Sequence, residues 1–140
     1  MPTRRWEHFD HDADIGVRGY GATRAEAFAQ AALALAALIT DPASIRPDQS
    51  VTIRCSAPDT ERLLVDWLDA LVYEMAVSDR IFGEFDVEIE GNVLRGDCRG
   101  ETIDRARHQP AVEVKGATQT ALRVARTPQG QWVAQCVVDV

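Results

Sequence analysis

The sequence predicts an α+β domain, a mostly antiparallel β-sheet with two α-helices packed on one face. Two segments place apolar residues at helical spacing, and several short segments alternate apolar with polar residues. The order reads ββαβα and then a run of strands, which suits helices covering one side of an antiparallel sheet. A chain of 140 residues fits one domain, 1–140, with a real hydrophobic core.

The elements follow in order. "TRRWEHF" is a strand, the acidic segment after it acts as a loop, and "IGVRGYG" is a second strand. Thr23 opens a helix, and Glu26 three residues on completes a capping box. Phe28, Ala31, Ala32, Leu35, Leu38 and Ile39 form its apolar stripe. "DPASIRPD", with two prolines, ends it. "SVTIRCSA" alternates strictly, Val51, Ile53, Cys55 and Ala57 pointing one way. Asp59 or Thr60 caps the second helix, whose apolar face is Leu64, Trp67, Leu68, Leu71 and Met75. "EFDVEIE" buries Phe85, Val87 and Ile89, and Gly91-Asn92 turns the chain into "VLRGDCRG". "AVEVKGAT", "TALRVAR" and "QWVAQCVV" are the remaining strands.

Composition excludes several classes of function. With 46% hydrophobic and 26% charged residues the chain reads as ordinary globular protein. Its longest apolar stretch, "AFAQAALALAALI", is interrupted by Gln30 and falls short of the ~20 residues of a membrane span. "MPTRRWEHFD" has no apolar signal-peptide core. Cys55, Cys98 and Cys136 form no C-x-x-C pair, so neither a zinc site nor a disulfide framework is indicated. A reducing cytoplasm is the expected compartment. Fifteen basic against 22 acidic residues give a net charge of −7, which argues against direct nucleic-acid binding and suits a cation or a basic partner.

The acidic segment "HFDHDADIG" holds Asp10, Asp12 and Asp14 at alternate positions. It is not an EF-hand, because loop positions six and twelve counted from Asp10 are Ile15 and Gly21 instead of Gly and Glu. His11-Asp12 as a metal-hydrolase pair lacks helical His partners. No phosphate loop, nucleophile elbow or dinucleotide fingerprint occurs. Two readings remain: the aspartates are turn formers, or they bind a hard cation that relieves their mutual repulsion. The end of the chain, "VVDV", puts Asp139 and the main-chain carboxylate of Val140 side by side after a strong strand.

Three stretches resemble one known family. "RWEHFDHDADIGVRGYGATRAEAFAQAALAL" is similar to the archease signature of W-E-H, then H-T-A-D-I-G, then an A-F-type helix. "RHQPAVEVKGAT" resembles the family's R-H-x-P-x-x-E-V-K-A-x-T block, and "GQWVAQCVVDV" its C-terminal G-x-W-x-A-x-V-V-x-D-[IV]. The resemblance implies a small α+β protein that assists an RtcB-type RNA ligase in joining tRNA halves. Such a protein speeds formation of the ligase's guanylylated histidine and sustains turnover without being a catalyst. It implies a divalent cation, typically calcium, on Asp14, Asp139 and Val140, with no direct nucleic-acid or membrane contact expected. The chain departs from the family at Asp12, where Thr is usual, and at Gln119-Thr120-Ala121, where His-Asp is frequent. It keeps Glu113 and Lys115 but has Gly116 for Ala. The alternative is a small hydrolase using water on the same cation, for which only His8, His11 and His108 could supply a base.

Overall fold

The computed structural model describes residues 4–140. The strands β1 (Arg5–His11) and β2 (Asp14–Gly21) form a hairpin, followed by the helix α1 (Arg24–Ile39). A short 3₁₀ turn (Pro42–Ser44) leads into β3 (Gln49–Ser56) and α2 (Thr60–Ser78). Then come β4 (Arg80–Glu90), β5 (Val93–Thr102), a one-turn helix α3 (Arg105–His108), β6 (Gly116–Ala117), β7 (Arg123–Arg126) and β8 (Trp132–Asp139).

The strands divide into two sheets instead of one. The first has the order β1-β2-β8-β6, with β7 also on β8, and the second has the order β3-β5-β4. Every pairing is antiparallel. Both long helices pack against both sheets, α1 chiefly on β2 and α2 on β3 and on β6.

Local chemistry sets the helix ends. Thr23 Oγ1 accepts the N–H of Glu26 at 3.1 Å, and Asp59 Oδ1 accepts that of Arg62 at 2.8 Å, so the second cap is Asp59. The stripe of α1 is buried at Phe28, Ala31, Ala32, Leu35 and Ile39. That of α2 is buried at Leu64, Trp67, Leu68 and Leu71, and Leu63 and Val65 join it. Each fully buried Leu or Phe contributes roughly 1.5–3 kcal/mol. The Trp67 indole N–H donates to the Phe28 carbonyl at 3.1 Å and ties the helices together inside the core. Gly19 lets α1 close on β2, because a Cβ there would lie 2.2 Å from the Ala27 carbonyl oxygen.

Two further expectations need correction. The acidic segment is not a loop: β1 runs through Asp10 and His11, β2 begins at Asp14, and only Asp12 and Ala13 form the turn. "AVEVKGAT" is a strand only at Gly116–Ala117. Gln109 takes a left-handed φ of 49°, and the following backbone bonds to Ile39 and Asp139 instead of building a ladder.

Candidate metal centre at the end of the five-stranded sheet

Strand register brings the β1–β2 turn beside the end of β8. His11 faces Asp14 across β1 and β2. The β2–β8 ladder ends at Ile15 opposite Val138, so continuing its register puts Asp14 opposite Asp139. Asp139 in turn faces Gly116 on β6. His11, Asp14, Asp139 and Gly116 therefore make one row across four strands, with Val140 following Asp139.

Alternation fixes the face on which this row lies. Val17 and Gly19 face α1, and so does His8, whose Nε2 lies 2.7 Å from the Ala34 carbonyl oxygen. Asp14 and Asp139 stand on the opposite, outer face. Asp14, Asp139 and Val140 are all exposed. Among the described residues no side chain forms a hydrogen bond or ion pair with either carboxylate. Like charges on neighbouring strands repel, and among the described residues no basic side chain pairs with either of them.

The other two aspartates behave differently. Asp12 has a left-handed φ of 52° and forms the turn. Its carboxylate is solvent-exposed, 3.8 Å from His11 Nδ1. The turn-former reading thus holds for Asp12. Asp10 pairs with Ile15 and lies on the opposite face from Asp14.

His108 is buried in a second polar cluster. Its Nδ1 accepts the Asp104 N–H at 2.9 Å, so Nε2 carries the proton and donates to Glu101 at 3.0 Å. Glu101 also accepts the Arg46 N–H at 2.7 Å and pairs with the Arg107 guanidinium. The Arg107 hydrogen bond, with help from Arg46 and His108, outweighs burial and holds the Glu101 carboxyl down to about 2. Sequence reasoning missed Glu101. Alternation puts it with Asp97 and Arg99, on the side of β5 away from the buried Leu94, Cys98 and Gly100, so its sequence signal is confined to the "RARH" that follows closely.

Burial pushes the Cys98 and Cys136 thiols up to about 12, so neither is a nucleophile near neutral pH. A groove of about 370 Å³ lies between the end of α2 and the 110–114 segment; Val72, Met75, Ile81 and Val112 line it, and neither Asp14 nor Asp139 does. Among the described residues no three His, Cys, Asp or Glu side chains gather as a metal cluster. No described helix is long and apolar enough to cross a membrane.

Residues 6–140 match the model of the archease protein family (MTH1598/TM1083). The chain belongs to the archease family. Protein archease of Pyrococcus furiosus is 40% identical, with 98% of this chain and 99% of that protein aligned. Protein archease of Thermococcus gammatolerans is 38% identical over the same shares of the two chains. The solution structure of Methanobacterium thermoautotrophicum protein 1598 superposes with a TM-score of 0.83 at 28% identity, covering 96% of this chain and 98% of that one. The archease fold accounts for the α+β architecture and for all three matched stretches.

Proposed function

We propose that this archease is a non-catalytic, divalent-cation-binding activator of an RtcB-type RNA ligase. It promotes guanylylation of the ligase and multiple turnover, in tRNA splicing or RNA repair, in the cytoplasm. Family membership supports the ligase partner. The observation that carries the cation site is the row joining Asp14 to Asp139 on one exposed face.

The donors fit a hard cation. Asp14 and Asp139 offer carboxylate oxygens and Val140 main-chain oxygen, the ligand type that calcium prefers. A bound cation would neutralise the repulsion between the two carboxylates. Asp14 then tethers the turn of the β1–β2 hairpin, and Asp139 with Val140 the end of β8, so that turn and the end of β8 present one rigid edge to the ligase. The hydrolase alternative needs a base beside the cation. His8 contacts the Ala34 carbonyl and His108 contacts Glu101, which leaves His11 in the row.

The test combines a purified RtcB-type ligase, GTP, 3′-phosphate RNA and calcium with this protein or its Asp14→Ala variant. The wild type should raise ligase turnover, and Asp14→Ala should not. Alone, the protein should neither join RNA nor hydrolyse GTP. Calcium-dependent hydrolysis that is lost in Asp14→Ala would favour the hydrolase instead.

A further inference from the structure

The β2–β8 ladder stops at Val138, so Asp139 is held from the other side. There Gly116 pairs with Asp139, Ala117 pairs with Val138, and the Lys115 N–H donates to the Asp139 carbonyl at 2.7 Å. The strand that makes these contacts is only two residues long. Irregular backbone precedes it from Gln109 to Lys115. So short a strand is marginal alone and needs a second anchor.

That anchor comes from α2. Asp69 Oδ1 accepts the Ala117 N–H at 2.7 Å. Gly116 gives the carboxylate room, since a Cβ at that position would sit 3.2 Å from the same oxygen. Thr118 fastens the following residue, its Oγ1 donating to the Val137 carbonyl at 2.8 Å.

We propose that Asp69 is a positioning residue for the cation site: through Ala117 it fixes β6 against the end of β8 and so sets Asp139 and Val140 in place. This rests on the cation site proposed above. Asp69 acts through its oxygen as an acceptor, and its charge is not required. The residue lies 70 positions before Asp139 on a different kind of element, and only the tertiary contact links them.

The experiment uses the full chain as wild type, Asp69→Ala, Asp69→Asn and Gly116→Ala. Amide hydrogen exchange of the metal-free proteins reads the anchor, and calorimetric calcium titration reads the site. Asp69→Ala should speed exchange at Ala117 and Lys115 and weaken calcium binding about tenfold, the scale for losing a group that orients a metal ligand. Asp69→Asn keeps a side-chain oxygen and should restore both readouts. Gly116→Ala should shift both in the direction of Asp69→Ala, by less. Calcium affinity within twofold of wild type in Asp69→Ala overturns the proposal, as does an equal loss in Asp69→Asn. If the wild type itself binds no calcium, the cation site fails and this proposal with it. If the wild type binds and only the variants disagree, this proposal alone fails.

Discussion

Glu101 and Asp14 are both carboxylates on β-strands, and their surroundings are opposite. Glu101 is buried and accepts from the Arg46 N–H, His108 and Arg107. Asp14 is exposed, has Asp139 as its neighbour in register, and is matched by no basic side chain among the described residues. The difference lies in where the chain places its guanidinium charge and its N–H donors. Arg107 and His108 go to the carboxylate that holds the 105–109 turn against the 3₁₀ turn, where Arg107 also donates to the Ser44 carbonyl at 2.9 Å. The pair at the end of the sheet receives no such partner among the described residues, which is what the proposed cation would supply. A buried carboxylate without partners would be costly, whereas an exposed pair tolerates repulsion that water screens.

Removing the exposed carboxylates has the largest expected effect. Asp14→Asn together with Asp139→Asn should abolish calcium binding and ligase stimulation, measured by calorimetry and by turnover. The metal-free melting temperature should hold or rise slightly, because a repulsion is relieved without disturbing a buried contact. Extending the chain beyond Val140 should also weaken calcium binding, because the added residues crowd the proposed main-chain oxygen ligand of Val140. An N-terminal extension is the matched control and should leave affinity near wild type.

The buried half should respond in the reverse sense. Glu101→Ala leaves the Arg46 N–H and the His108 Nε2–H without their acceptor, at a cost of about 2–3 kcal/mol. For a domain of this size that lowers the melting temperature by on the order of 5–10 °C. Calcium affinity of the folded variant should stay near wild type.

A smaller effect follows from pH. The Glu101 carboxyl is lowered from 4.5 to about 2 by the Arg107 hydrogen bond first and by the Arg46 and His108 contacts. A depressed carboxyl stabilises the fold fully above its unfolded value and loses that contribution as pH falls through the folded one. The wild type should therefore lose stability between about pH 4.5 and 2. Glu101→Gln should show a shallower acid limb in melts across that range. Smallest of all, Asp10→Ala should leave calcium affinity unchanged, because Asp10 stands on the opposite face of the hairpin from Asp14. A loss equal to that of Asp14→Ala would mean that the acidic segment acts as a diffuse patch.

Much of the fold is legible in the sequence because its signals are local. The stripes of α1 and α2, the Thr23 and Asp59 caps and the Gly91-Asn92 turn each lie within a few residues. The division into two sheets is not local. It depends on β2 choosing β8, 117 positions away at the Arg18–Gln135 contact. The α3 turn is hidden for a similar reason: Asp104 caps it, but Glu101 and His108 hold it. "AVEVKGAT" misleads because Val112 and Val114 alternate as in a strand, while Pro110 and the bonds to Ile39 and Asp139 take the backbone elsewhere. At the candidate site the residues alone showed an excess of negative charge at both ends of the chain. Only the resemblance joined Asp14 to Asp139, and only the register puts them on one face. Asp69 left no sequence signal, since an acid on the polar side of a helix looks like any solvated residue.

The proposed cation site is the row of Asp14 and Asp139. Its most direct test is a calcium titration of the metal-free wild type followed by backbone amide NMR. A cation held there gives saturable, single-site shifts centred on Asp14, Ile15, Asp139, Val140 and the flanking Lys115 to Ala117. Shifts that fail to saturate, or that centre on the acidic outer side of β4 at Glu84, Asp86, Glu88 and Glu90, would contradict it.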